Sequence, residues 1–330
     1  MNIRKLLWDT ARSDHKRALP ILSFPAAQKL GVTVEALVKS ANLQAQAMQI
    51  IAQETETLAA VSLMDLSVEA EAFGAQVRFT ADEVPAIVGQ LVSDEDEANA
   101  LAVPALSAGR ALLCVEAVRQ AKSAITDKPV IAGMIGPYSL AGRLMDVTEI
   151  MYLCFDEPET VHTVLDKAAQ YLIKYGQAMK AAGADGVMMA EPLAGILSPA
   201  MAEEFSMPYV ARIIATLQDE DFAVIYHNCG NAVPQMLESI YAQGAAAYHF
   251  GNAVDMTAIL QATPADVLVM GNIDPAGEFA SGTVESITAA TRELMAKCGA
   301  YRNFLPSSGC DIPAHAKWEN IHAFFAAIRS

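Results

Sequence analysis

The sequence predicts an α/β protein folded as a (β/α)8 barrel, with an insertion near residues 75–128. Two observations carry this reading. Short apolar runs of β type alternate with longer amphipathic runs of helical type, and the short runs number eight. No glycine-rich dinucleotide fingerprint follows the first run, which argues against the alternative, an open doubly wound sheet. No internal repeat, low-complexity tract or flexible linker interrupts the chain, so residues 1–330 read as one domain.

The strands are expected, in order, at PILSF (20–24), AVSLM (60–64), VIAGMI (130–135), GVMMA (186–190), FAVIYH (222–227), AAYHF (246–250), VLVMG (267–271) and NFLPS (303–307). Each is almost continuously apolar, as a strand covered on both faces must be. Helices are expected between them, over 157–183 and 198–218 among others. The run AVPQMLESIYAQG carries apolar residues at helical spacing and stops on Gly244, a natural C-cap. The stretch from 75 to 128 is long for one crossover and reads as a β-rich or helical insertion.

Composition narrows the function. Charged residues make up 18% and hydrophobic residues 53%, the balance of a globular protein rather than a disordered one. A formal net charge of -16 is the wrong sign for a nonspecific nucleic-acid binder or for an anionic membrane surface. No apolar run approaches the roughly 20 residues of a spanning helix, and no apolar signal core precedes Asp9. Five cysteines in a chain of this length are a sparse, odd set that suits a reduced, cytoplasmic compartment better than a disulfide framework.

In a barrel the functional face lies at the C-terminal ends of the strands. Most of the uncommon polar chemistry falls there: Asp65, GPYS (136–139), Glu191, His227 to Cys229, His249, GNIDP (271–275) and SSGC (307–310). His227 and Cys229 stand at i and i+2, which in an extended segment turns both side chains to one side. Cys310 follows a later strand on a Ser-Ser-Gly turn, and barrel closure brings both strand ends to one rim. The three read either as small buried groups at strand ends or as a His-Cys-Cys zinc set with an open fourth position. Asp65 faces either the cavity or the start of the following helix, as its cap. Glu191 is either a catalytic carboxylate or a rim charge at a helix N-terminus. Cys114, Cys154 and Cys298 lie in helical patterns and read as structural.

Four motifs in one order, MDLSVEAEAFGA, MIGPYSLAGRLM, HNCGN and GNIDP, resemble the uroporphyrinogen decarboxylase superfamily over nearly the whole chain. The resemblance implies a (β/α)8 barrel. It implies one of two activities: cofactor-free decarboxylation of uroporphyrinogen, or cobalamin-dependent methyl transfer of the methylcobamide:coenzyme M type. His227, Cys229 and Cys310 match the zinc ligands of the methyltransferase branch. The decarboxylases resemble one another in an arginine-rich segment after the first strand, suited to a substrate with eight carboxylates. Here that stretch is SFPAAQKLGVT, without arginine.

The resemblance therefore implies a zinc enzyme moving a methyl group from a methylated corrinoid such as methylcobalamin, carried by a separate corrinoid protein, to an acceptor. The acceptor would be a thiol such as coenzyme M, or tetrahydrofolate. Asp65 and Glu191 are the expected catalytic residues; Gly136, Asn272 and Asp274 are the expected cofactor-binding ones. In one respect the chain departs from the coenzyme M branch: Gly251 stands where a carboxylate is expected to approach the metal. The alternatives are a decarboxylase, and a non-catalytic barrel that binds a corrinoid or a partner protein.

Overall fold

A computed structural model describes residues 2–329. Its strands are β1 (Ala60–Val61), β2 (Gln76–Arg78), β3 (Ala86–Val88), β4 (Val130–Ile135), β5 (Gly186–Ala190), β6 (Ala223–Asn228), β7 (Ala247–Phe250), β8 (Val269–Ile273) and β9 (Phe304–Ser308). Seven form one parallel sheet in the order β1-β4-β5-β6-β7-β8-β9, each joined to the next through helical crossovers. The protein is a single-domain α/β barrel of the TIM type.

The expected first strand differs from the reading. Residues 20–24 enter no ladder. Residues 18–21 instead make scattered bonds that bridge β9 to the approach of β1. Leu19 N donates to Pro306 O and Leu58 N to Ala18 O; Ile21 N donates to the Ser308 hydroxyl. The run is apolar because it is buried, not because it is paired. Likewise β1 keeps only two residues of the expected five, and Ser62 continues alongside β4 through its N–H to Ile131 O.

The insertion holds an antiparallel hairpin of β2 and β3, then the helices Glu95–Ala100 and Ala111–Ala124. The latter packs on Ala41–Glu54 and is an ordinary crossover helix. The expected helix over 198–218 is two, Pro199–Phe205 and Met207–Leu217. Pro208 explains the break: it lacks an N–H and its ring clashes with the preceding turn. Gly244 sits at φ +79 just past the helix Leu237–Tyr241, the left-handed stop read from the sequence.

Alternation along the strands builds two apolar layers. Ile131, Met188, Ile225, Met270 and Leu305 fill the barrel interior, and the N-terminal helix Ile3–Arg12 joins them through Ile3 and Leu7. Met134, Met189, Tyr226, Tyr248 and Phe304 face the surrounding helices. The interior parity continues upward through His227, His249 and Ser307. The barrel is therefore apolar through its middle and polar at the C-terminal ends of its strands. No helix among the described residues is long and apolar enough to cross a membrane.

Candidate metal centre

His227 is the penultimate residue of β6, and Cys229 lies just beyond that strand. The intervening Asn228 turns the other way. Its amide donates to the Tyr226 hydroxyl and its oxygen accepts from Gly230 N, which bends the chain sharply after Cys229. Cys310 lies two residues past β9. The His227 nitrogen and the two sulfurs fall within 4.8 Å of one another, and Cys310 Sγ is 3.4 Å from His227 Nε2. His227 is buried, whereas both cysteines are partly exposed, so the cluster opens on the rim.

Two glycines let three loops meet here. A side-chain carbon on Gly251 would stand 2.7 Å from Cys229 Cα, and one on Gly309 would stand 2.7 Å from Asn252 N. The loop after β7 is thus wedged between the two cysteine-bearing loops. Asn272 pins it by donating to Gly251 O and Val254 O at 2.9 and 2.8 Å.

Electrostatics pair the two thiols. A hydrogen bond from Cys310, opposed by burial, holds the Cys229 thiol well below its ordinary range. The same bond, with burial, pushes Cys310 up. Burial, and then the neighbouring His227, hold the His249 imidazole well below the usual histidine range, so it is neutral.

The donor set fits zinc. Ligand atoms on a tetrahedron with metal distances of about 2.0–2.3 Å stand about 3.3–3.8 Å apart. The observed 3.4 Å separation lies in that span. Two sulfurs and one imidazole suit a borderline-soft ion, and three protein donors leave a position for an exogenous ligand.

The other expected site residues hold different partners. Asp65 is buried: Oδ1 accepts from Ser67 N and the Ser67 hydroxyl, and Oδ2 accepts from Arg110 at 2.5 Å. Arg110, which the sequence reading did not single out, also binds Glu71 at 2.7 Å. Glu191 is fully buried and accepts from Tyr138 N and Ser139 N at 3.0 and 2.6 Å, capping the helix Pro137–Met145 from the end of the neighbouring strand. Burial lifts its carboxyl to about 7 against those bonds. Gly136 precedes that helix, and any side-chain carbon there would collide with the Glu191 carboxylate. Asp274 caps the short π-helical turn Pro275–Ser281 through Ala276 N and Gly277 N. The structure thus brings His227, Cys229 and Cys310 together, sets Asn272 behind them, and gives Asp65, Glu191 and Asp274 hydrogen-bond partners within the chain. Cys114, Cys154 and Cys298 lie on helices with free thiols, and burial pushes Cys114 up to about 12.

Fold and cluster define a parallel α/β barrel that carries an open His-Cys-Cys set at the C-terminal rim. Residues 17–330 match the model of the uroporphyrinogen decarboxylase (URO-D) family, and the chain belongs to that family. It is 25% identical to methylcobamide:CoM methyltransferase MtbA of Methanosarcina acetivorans over 235 residues, 70% of this chain and 68% of the relative. It is 28% identical to uroporphyrinogen decarboxylase of Psychromonas ingrahamii over 283 residues, 82% and 78% of the two chains. Among solved structures, a methyltransferase from Methanosarcina mazei superposes with a TM-score of 0.87 at 22% identity, covering 99% of this chain and 98% of that one. Both branches of the family are thus at similar distance by identity.

Proposed function

We propose that the protein is a zinc-dependent methyltransferase that takes a methyl group from a methylated corrinoid, delivered by a carrier protein, and passes it to a thiol acceptor. The observation that carries this reading is the convergence of His227 Nε2, Cys229 Sγ and Cys310 Sγ from two strand ends. The similarity to methylcobamide:CoM methyltransferases supports it.

His227, Cys229 and Cys310 would hold the zinc. Bound there, zinc supplies Lewis acidity that keeps an acceptor thiol ionised near neutral pH, where a free thiol with a pKa of about 8.5 is mostly protonated. The chain's own work is placement. Strand ends fix the three donors, and the wedge of Gly251 and Gly309 holds the cysteine loops at a set separation. A reacting pair held in line gains through proximity rather than through acid–base chemistry.

Decarboxylation of a substrate with eight carboxylates has less support. In the stretch after the first barrel segment, Gln28 is tied to Ala314 O and Ala316 O, and Lys29 to Glu54. Arg110 is committed to Asp65 and Glu71. A panel of acceptors, coenzyme M, other thiols and tetrahydrofolate, incubated with methylcobalamin and the zinc-loaded protein tests the proposal. Demethylation with a thiol is expected; uroporphyrinogen turnover without corrinoid demethylation refutes it.

A further inference from the structure

The three donors rest on a second polar layer inside the barrel that they do not themselves explain. We infer that His249 and Ser307 are positioning residues: a one-way hydrogen-bond chain from Leu19 through Ser307 and His249 fixes His227 as the Nδ1–H tautomer and leaves its Nε2 lone pair facing the two cysteines. This rests on the zinc reading above only for what the lone pair receives.

The chain is read from its fixed end. The Leu19 carbonyl can only accept, and the Ser307 hydroxyl lies 2.7 Å from it, so that hydroxyl gives its single proton to Leu19. Leu19 and Ser307 are both fully buried, and a carbonyl left without a donor there is costly. Ser307 Oγ must then accept from His249 Nε2, 2.7 Å away, which makes Nε2 the protonated nitrogen of a neutral imidazole. His249 Nδ1 is therefore bare. It lies 2.8 Å from His227 Nδ1, so the proton between them belongs to His227. A second contact agrees: the His249 carbonyl, which also can only accept, lies 3.3 Å from the same His227 nitrogen. With Nδ1 protonated, Nε2 of His227 is the unprotonated nitrogen, and it is the atom 3.4 Å from Cys310 Sγ. Reversing any link puts two protons or two lone pairs face to face in a buried site. The two rings cross at 69°, so each nitrogen meets its partner without the rings stacking.

The consequence is a ligand oriented before the ion arrives. Partners behind a metal-bound histidine are generally worth about 10–100-fold in metal affinity. The test uses the full-length protein, labelled with 15N-histidine, and two measurements. Two-bond 15N–1H correlations on metal-free protein report the His227 tautomer, and chelator competition reports the zinc dissociation constant. His227 is expected to be Nδ1–H in the parent. Ser307→Ala, which removes one oxygen, mixes the tautomers and weakens zinc about 10-fold. His249→Leu weakens it about 10–100-fold. His249→Asn, whose Oδ1 can occupy the accepting position and cannot donate from it, restores most of the loss. A merely structural role would not give that restoration or move the tautomer at unchanged melting temperature. An Nε2-protonated His227 in the parent, or unchanged zinc affinity in both Ser307→Ala and His249→Leu, overturns the inference. Should the parent take up no zinc, the functional proposal fails, while the tautomer and its response to Ser307→Ala still decide the relay.

Discussion

Replacing Asp65 by Asn removes one charge while keeping the side chain's shape, and so separates a structural carboxylate from one that faces substrate. The retained Oδ1 can still accept from Ser67 N and the Ser67 hydroxyl. What is lost is the acceptor for Arg110, whose guanidinium is 9% exposed at the side chain and would meet an amide N–H instead. Removing one partner of a buried ion pair costs about 3–5 kcal/mol. Arg110 keeps Glu71 at 2.7 Å and Ser67 at 2.8 Å, so the loss is expected nearer 2 kcal/mol. With an unfolding entropy of about 2.1 cal/mol/K per residue, this lowers the melting midpoint by about 3 °C. Calorimetry and initial rates of methyl transfer, measured on the same preparation, form the assay. The expected outcome is a lower midpoint with kcat retained. An unchanged midpoint with lost turnover would refute the structural assignment and place Asp65 at the reaction.

Gly251→Ala sets a methyl 2.7 Å from the Cys229 backbone, which cannot swing aside; we expect a stability loss of about 1–3 kcal/mol by urea denaturation, with weaker zinc binding, and an unperturbed variant would contradict the loop wedge. Glu69, fully buried, is raised by burial from 4.5 to about 7 while accepting from Ile135 N. Its contribution is fully present below pH 4.5 and is lost as the pH rises through about 7, because the folded state holds the proton longer than the unfolded one. Relative to Glu69→Gln, the parent should therefore lose about 3 kcal/mol between pH 4.5 and 8, and parallel pH profiles would exclude this. Binding of a thiol acceptor to zinc-loaded protein should release about one proton per site at neutral pH, counted by calorimetry in buffers of different ionisation enthalpy; zero release argues against direct thiolate coordination.

The sequence is most legible where a local rule suffices. The i, i+2 spacing of His227 and Cys229 needs only strand geometry, and the structure keeps it, with Asn228 on the far side. Placing Cys310 beside them needs the barrel, which the run of apolar strands supplies. Residues 20–24 show the limit of the same rule: burial makes the segment apolar, yet Ile21 bonds the Ser308 hydroxyl and Ile312 N rather than a ladder. Glu191 directly follows its strand and Asp65 lies in the loop after β1, but their partners, Arg110 and the Tyr138–Ser139 backbone, come from elements 45 and 52–53 residues away, and no local pattern links them. His249 left one signal. It stands at the end of the strand after β6 and shares its register with His227. The direction of the bond between them depends on Ser307 and Leu19, at opposite ends of the chain.

Metal stoichiometry and coordination, measured together, test the central claim most directly. Elemental analysis of the purified protein, with X-ray absorption at the zinc edge, should find about one zinc per chain with two sulfur ligands near 2.3 Å and one imidazole near 2.0 Å. Cys310→Ala should lose most of that zinc while keeping its circular-dichroism spectrum. A protein free of zinc after reconstitution, or zinc retained with an unchanged sulfur count in Cys310→Ala, would contradict the account.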